Sequence, residues 1–159
     1  MFSQQDPAQA LFGAALEMLS RREHSCQELR QKLAARFPDA DFDALFQRLH
    51  ELNYQSDQRF AEVFARSRVQ RGQGPLRIRR ELQQRGVDAS YIEAAIEQLE
   101  VDWFQLAEET LQRKFRQPID DAQPREHQLK ERARRQRYLA YRGFPADAIQ
   151  CALEAELFP

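Results

Sequence analysis

Ten basic residues have side chains suited to binding phosphate or carboxylate groups, and most fall on the outer side of a predicted helix. Arginine binds either group through paired hydrogen bonds, and lysine presents a compact charge. The ten are Arg59, Arg66, Arg77, Arg79, Arg80, Lys130, Arg132, Arg134, Arg135 and Arg137. We predict that they contact an acidic partner, either a protein surface or a DNA backbone. The alternative for each is an ordinary solvated position.

Charge alternates in sign along the chain although the total nearly cancels. The sequence has 24 basic and 25 acidic residues, so overall charge does not make it a nucleic-acid-binding protein. Residues 57–86 contain eight arginines against three acids, and residues 113–142 contain ten basic residues against four acids. Between them, residues 87–112 hold seven acids and no Lys or Arg. This pattern predicts local charged patches.

The second basic cluster is followed by two tyrosines. Leu129, Ala133 and Ala140 predict a weak inner face on this helix, surrounded by basic side chains. Tyr138 and Tyr141 are candidates to stack on nucleic-acid bases, with packing inside the fold as the alternative.

Other chemically suggestive runs have plainer explanations. Ser25 is followed three residues later by Glu28, the pattern of a helix capping box, so the His-Ser-Cys run at 24–26 predicts a cap rather than a nucleophile. The acids at 39–43 lack the glycine and closing glutamate of a calcium loop and suit the start of a helix. We therefore predict no catalytic residue, no metal site, no cofactor and no enzymatic activity.

The elements that carry these residues are predicted to be helices throughout. Only ten residues are β-branched, while Leu, Ala, Gln, Glu and Arg dominate and apolar residues recur at helical spacing. The predicted helices span residues 7–22, 25–36, 39–53, 56–71, 75–85, 88–100, 102–115, 124–142 and 145–157. The sequence thus predicts an all-α fold.

Three segments of the chain share one pattern, which predicts tandem repeats. The matching positions are Leu33, Leu82 and Leu139, then Arg36, Arg85 and Arg142, then Phe37, Val87 and Phe144. We predict three-helix repeats at 1–55, 56–101 and 102–159, with a loop insertion near 116–124. One unit exposes too much apolar surface to be stable alone, so we expect an elongated, curved array of stacked repeats.

The turn shared by the repeats contains glycine in two of them. Gly86 and Gly143 follow the matching arginine, where a left-handed residue ends a helix readily. The first repeat passes from Arg36 directly to Phe37, so its turn must close in a different way.

The N-terminus lacks the basic and apolar regions of an export signal, and no segment approaches the length that spans a bilayer. The two cysteines cannot form a disulfide framework. We expect a soluble protein of the cytoplasm with no membrane partner.

The sequence resembles the RecX family, bacterial regulators of the RecA recombinase. The resemblance rests on "ALEMLSRREHSCQELRQKL", "NYQSDQRFAEVFARSRVQRGQGPLRIRRELQQRGV", "VDWFQLAEETLQRKF" and "RYLAYRGF", and covers nearly the whole chain. Two turns depart from the family pattern: Asn53-Tyr54-Gln55 replaces a Gly-Tyr-Leu-like turn, and a glycine near Phe37 is missing.

The resemblance implies a helical repeat protein that binds the RecA filament on single-stranded DNA. It implies that binding limits filament assembly, ATP hydrolysis, strand exchange and coprotease activity. We expect a monomer with weak direct DNA binding. The alternative is a helical DNA-binding protein whose basic patches contact duplex phosphates without a recombinase partner.

Overall fold

The computed structural model describes residues 6–157, and within that range the chain forms nine α-helices and no strand. The helices are α1 Pro7–Arg21, α2 Cys26–Arg36, α3 Phe42–Glu51, α4 Asp57–Gln70, α5 Pro75–Gln84, α6 Ala89–Gln98, α7 Trp103–Lys114, α8 Arg125–Tyr141 and α9 Ala146–Ala155. The predicted all-α class is confirmed. Helix ends differ from the prediction by three residues at most, and the largest difference is at the start of α3.

Polar side chains at the helix starts explain several of these boundaries. Ser25 Oγ accepts a hydrogen bond from the Glu28 N–H at 3.1 Å, as the capping-box pattern predicts. Asp41 caps α3 in the same way through Ala44 N at 3.1 Å. Because the cap is Asp41, α3 begins at Phe42 rather than at residue 39.

The chain divides into two compact units. The first contains the chain up to Phe64 together with Leu82–Ala95. The second contains Ala65–Glu81 and the chain from Ile96 onward. The predicted repeats end at residues 55 and 101, whereas each of these units combines segments from more than one predicted repeat. The units therefore do not test the repeat boundaries, which stay a prediction.

Each unit has its own apolar core. In the first unit, buried leucines of α1, α2 and α3 pack together with Phe42 and Phe46. In the second unit, Leu111, Leu139 and Phe144 pack with the buried face of α9. Trp103 packs against this second core, which agrees with helical spacing that places it on the inner face of α7.

The two predicted glycine turns are confirmed. Gly86 and Gly143 have φ values of 75° and 96°, in the left-handed region that glycine favours. The turn of the first repeat closes without a left-handed residue at Phe37, which has φ −127° and ψ 71°. There the Phe37 N–H donates to the Leu33 carbonyl at 2.7 Å, and the Ala40 N–H donates to the Phe37 carbonyl at 3.2 Å.

Successive repeats meet where the start of one helix contacts the turn of the next repeat. We call the first such contact the first junction, formed by residues 24–28 and 84–87. Ser25 Oγ donates to the Arg85 carbonyl at 2.8 Å, and Gln27 Nε2 donates to the Gln84 carbonyl at 2.9 Å. All of these residues lie in the first unit.

The second junction, formed by residues 71–77 and 141–144, lies in the second unit. The Gly74 N–H donates to the Arg142 carbonyl at 2.8 Å, and the Leu76 N–H donates to the Gly143 carbonyl at 3.0 Å. The backbones are so close that a Cβ on Gly74 would meet the Gly143 carbonyl. The junction thus has close backbone contacts, together with hydrogen bonds that the Arg142 side chain donates to the Arg71 carbonyl and the Arg77 side chain donates to the Tyr141 carbonyl.

Among residues 6–157, no helix is both long enough and apolar enough to cross a membrane. The same part of the chain has no group of three or more His, Cys, Asp or Glu side chains arranged to hold a metal ion.

Candidate functional site

Three basic residues and a tyrosine line the outer face of α8. Lys130, Arg134, Arg137 and Tyr141 follow one another at spacings of four, three and four residues, which places them on one side of the helix. All four side chains are exposed, and Tyr141 is 70% exposed. We call these four residues the α8 stripe.

The cations of the α8 stripe remain accessible despite nearby acids. Lys130 Nζ lies 3.2 Å from Glu126, and Arg134 Nη1 lies 3.4 Å from Glu131. Both contacts lie near solvent, where ion pairs contribute about 0–1 kcal/mol and break readily. Arg137 forms no ion pair in the described range. A partner with negative charge can therefore bind all three cations at low cost.

Arg77 connects α5 to the α8 stripe across the second junction. Its guanidinium carbon lies 4.9 Å from the centre of the Tyr141 ring, and Nη1 is 3.5 Å from the Tyr141 carbonyl oxygen. Its Nε donates to Glu81 Oε1 at 3.1 Å. The cation above the ring favours one orientation of the exposed tyrosine. Arg80, on the same side of α5, is exposed.

Arg135 lies inside the fold, so the prediction that it faces a partner is wrong. The residue is 5% exposed, and Nη1 lies 2.5 Å from Glu156 Oε1. Its Nη2 donates to the Gln117 carbonyl at 2.9 Å. The physical reason is its position four residues before the buried Leu139, on the same face of α8. Leu129, predicted on the inner face, is 57% exposed.

Arg59 also binds within the fold rather than facing outward. Its Nε donates to Glu23 Oε1 at 2.6 Å, and its Nη2 donates to the Tyr54 carbonyl at 3.1 Å. Its Nη1 donates to the Asn53 carbonyl at 3.3 Å. These contacts hold the turn before α4 and leave few donors for a partner, so the predicted outward position of Arg59 is wrong.

The other predicted residues differ in exposure. Arg66 is exposed, whereas Arg79 and Arg132 are half-buried. Their contacts with a partner stay a prediction.

The two tyrosines of α8 have different environments. Tyr138 packs edge-on against Phe115, with ring centres 5.6 Å apart, and lies against the second core. Tyr141 points out beside Arg77. Packing therefore explains Tyr138, while Tyr141 remains a candidate for base stacking. The spacing 130, 134, 137 and 141 is a sequence signal for this face that would have separated Arg134 from Arg135.

The run at 24–26 has no activated nucleophile. Burial, followed by the neighbouring Asp57 carboxylate, raises the pKa of the Cys26 thiol to about 12, so it stays protonated at neutral pH. Burial also lowers the pKa of His24. The Cys26 N–H donates to Asp57 Oδ1 at 2.9 Å. The start of α2 is thus held to the start of α4, and Ser25 has the role of the predicted cap.

Family models and individual relatives match nearly the whole chain. The first, second and third three-helix domains of RecX match residues 12–49, 56–96 and 100–153. The Regulatory protein RecX of Halorhodospira halophila is 42% identical over 93% of this chain and 89% of its own length. That of Cronobacter sakazakii is 38% identical over 88% of each chain.

Solved structures share the fold at lower sequence identity. The crystal structure of RecX from Lactobacillus salivarius has a TM-score of 0.73 and 22% identity, covering 97% of this chain and 99% of that one. Three matched domains of three helices each confirm the predicted tandem-repeat fold. The relatives are named as regulatory proteins rather than enzymes, in agreement with the prediction from the sequence.

Proposed function

Because the chain belongs to the RecX family of regulatory proteins, we propose that it binds the RecA filament on single-stranded DNA and mostly inhibits it. The inhibited steps are filament assembly, ATP hydrolysis, strand exchange and coprotease activity. The protein acts as a monomer in the bacterial cytoplasm. Its cysteines, Cys26 and Cys151, are free thiols, as expected in a reducing compartment.

The observation that carries this proposal is the α8 stripe. Its three cations are spaced one helical turn apart and are suited to bind phosphates or carboxylates in a row. Tyr141 adds a flat aromatic surface at one end. Basic residues that follow a backbone, combined with an aromatic ring that stacks on a base, are the common elements of single-strand binding.

The balanced total charge favours a partner that contains both protein and DNA over DNA alone. With a formal net charge of −1, the protein has little long-range attraction for nucleic acid. Three local cations supply modest affinity, which a filament increases by offering protein and DNA contacts together. The alternative of a plain duplex-binding protein requires appreciable affinity for bare DNA with a steep salt dependence.

Inhibition of this kind requires binding but no chemistry. A ligand that binds one state of an assembly more tightly than another shifts the equilibrium by its difference in binding free energy. Preferential binding to one filament state is thus sufficient to slow growth or promote disassembly.

The test measures DNA-dependent ATP hydrolysis by purified RecA with this protein well below one copy per recombinase protomer. We expect inhibition by the wild type. The stripe variant, Lys130→Gln with Arg134→Gln and Arg137→Gln, should need about tenfold more protein, which corresponds to about 1.4 kcal/mol. The matched control is Arg113→Gln with Arg116→Gln and Arg125→Gln, which removes the same charge from other exposed positions.

Two results would count against the proposal. If the stripe variant inhibits as well as the wild type, the α8 stripe is not the contact surface. If the wild type leaves ATP hydrolysis unchanged yet binds bare duplex DNA with a steep salt dependence, the plain DNA-binding alternative is correct.

A further inference from the structure

Glu81 of α5 connects two arginines through its two carboxylate oxygens. Arg68 Nε of α4 donates to Oε2 at 3.1 Å, and Arg77 Nε donates to Oε1 at 3.1 Å. The three side chains are only 17–19% exposed. We call these three residues the Glu81 bridge. Because each oxygen accepts from a guanidinium group, one carboxylate fixes the direction of both arginines.

The Glu81 bridge ends at the exposed ring of Tyr141. The guanidinium carbon of Arg77 lies 4.9 Å from the ring centre, and its Nη1 donates to the Tyr141 carbonyl at 3.5 Å. Arg77 approaches this closely because Gly143 has no Cβ, which would collide with Arg77. All of these residues lie in the second unit. Glu81 thus acts on the Tyr141 ring through one intervening side chain.

The ring of Tyr141 keeps a surface for a second planar group. Arg77 lies over the ring, yet Tyr141 is 70% exposed. Arg134 and Arg137 precede Tyr141 by seven and four residues, on the same face of α8. A single strand whose phosphates contact these cations would bring a base to the ring.

An exposed side chain must be ordered before a base can stack on it. Ordering one such side chain on binding reduces affinity by about two- to tenfold. The contact with Arg77 removes part of this cost in advance, since a cation over the ring favours one ring orientation. This works only while Arg77 is itself held in place, and its partner on α5 is Glu81.

We propose that Glu81 is a positioning residue for nucleic-acid binding, which holds Arg77 against Tyr141 so that the ring is ordered to stack on a base of single-stranded DNA. This rests on the proposed function, in which a single strand contacts the α8 stripe. Glu81 acts through Arg77 and does not itself contact DNA. Its charge alone would repel phosphates. Positioning and charge therefore predict opposite effects when the carboxylate is removed.

The test measures binding of a fluorescent oligothymidylate to the full-length protein at low salt, by fluorescence anisotropy. Glu81→Gln keeps the size of the side chain but has one acceptor oxygen, so it cannot accept from both arginines. We expect the affinity to fall by about threefold. If Glu81 acts through its charge alone, the same substitution should raise the affinity.

Glu126→Gln is the matched control. Glu126 Oε1 lies 3.2 Å from Lys130 Nζ of the same stripe, and the side chain is 82% exposed. This acid lies fifteen residues before Tyr141 on α8, far from the Glu81 bridge. Its removal should leave the affinity for oligothymidylate unchanged or raise it.

A double-mutant cycle separates positioning from a general structural effect. Glu81→Gln is measured in the wild type and in the Tyr141→Ala variant. We expect it to weaken binding in the wild type and to have no further effect in Tyr141→Ala, because the ring that it orders is absent. A general loss of structure should weaken binding equally in both.

Nuclear magnetic resonance of the free protein gives a measurement that does not depend on binding. We expect nuclear Overhauser contacts between the Arg77 side chain and the Tyr141 ring in the wild type, and their loss in Glu81→Gln. Circular dichroism checks that the variant is folded. If it is not, Arg77→Lys replaces it in the cycle, because lysine keeps the charge and lacks the Nε donor to Glu81.

Four results would overturn this inference: unchanged or tighter binding by Glu81→Gln, equal losses in the two backgrounds, persistent contacts between Arg77 and the ring, and no binding of oligothymidylate by the wild type. The proposed function is judged separately, by inhibition of ATP hydrolysis. A wild type that inhibits RecA, together with a Glu81→Gln variant that binds oligothymidylate normally, would retain that function and reject the role of Glu81.

Discussion

The two junctions between successive repeats follow one plan but use different chemistry. In the first junction, the side chains of Ser25 and Gln27 donate to backbone carbonyls of the receiving turn. In the second junction, the backbone N–H groups of Gly74 and Leu76 donate to carbonyls of the receiving turn. Both junctions have a left-handed glycine in the receiving turn, Gly86 in the first and Gly143 in the second, so they differ in the groups that donate the hydrogen bonds rather than in the need for glycine.

This difference explains where the candidate surface lies. In the first junction the polar side chains are used internally, and Ser25 and His24 are buried there. In the second junction the backbone N–H groups of Gly74 and Leu76 donate, and the exposed Tyr141 ring lies at its outer edge beside Arg77, whose own side chain is 19% exposed. The second junction therefore lies next to the candidate binding surface, the α8 stripe.

The largest expected effect is the loss of the second junction in Gly143→Ala. A Cβ there would collide with the backbone of Arg77, and φ of 96° is unfavourable for alanine. We expect the free energy of unfolding to fall by about 2–5 kcal/mol, measured by urea denaturation.

Gly13→Ala is the matched control for this glycine. Gly13 lies within α1, and a Cβ there would meet nothing within 4 Å. Alanine should stabilise this helix by roughly 0.5–1 kcal/mol. Equal stability of Gly143→Ala and the wild type would mean that the backbone contact is dispensable.

The next effect concerns the first junction, where Ser25→Ala removes both a cap and a contact. The Glu28 N–H loses its acceptor and the Arg85 carbonyl loses its donor. We expect a loss of about 1–3 kcal/mol in the same denaturation experiment. Ser90→Ala, whose exposed hydroxyl contacts only Asp88, is the control and should change stability by less than about 0.5 kcal/mol. A loss of similar size in both variants would contradict a special role for Ser25.

The sequence was sufficient to predict features that depend on neighbouring residues. The nine helices of residues 6–157, the cap at Ser25 and the turns at Gly86 and Gly143 all follow from local patterns. The repeat pattern extended this to the fold, since matching positions in three segments imply matching structure.

Long-range polar contacts could not be predicted in this way. Arg59 forms an ion pair with Glu23, which lies 36 residues earlier in the chain, and Arg135 forms one with Glu156, which lies 21 residues later. No periodicity links such pairs. Arg135 also interrupts the apolar pattern of α8, so the weak spacing through Leu129 predicted the wrong inner face.

A smaller effect is expected at the outer edge of the second junction, where Tyr141→Ala separates binding from stability. The ring is 70% exposed, so the free energy of unfolding should change by less than about 1 kcal/mol. Binding to the RecA filament should weaken by about 1–2 kcal/mol if the ring stacks on a base.

Fluorescence anisotropy with labelled filaments measures this change in binding. Tyr91→Ala, at an exposed position in the first unit, should bind normally. Unchanged binding by Tyr141→Ala would limit the site to its cations.

The smallest expected effect is a change in the free energy of unfolding with pH, which should come from the first junction. His24 is buried in that junction, whereas residues 71–74 of the second junction include no group that titrates near neutral pH. Burial lowers the pKa of His24 from 6.5, and the hydrogen bond with the Arg22 carbonyl offsets only part of this. The unfolded chain therefore binds a proton at a higher pH than the folded chain does, so stability is retained above about pH 6.5 and falls as the pH decreases towards the folded-state pKa.

Urea denaturation at pH 7.5 and at a pH just below 6 should show this fall in the wild type and a smaller one in His24→Gln. His127→Gln, at an exposed position of α8, should behave as the wild type. If His24→Gln keeps the full pH dependence, the buried imidazole of the first junction is not its source.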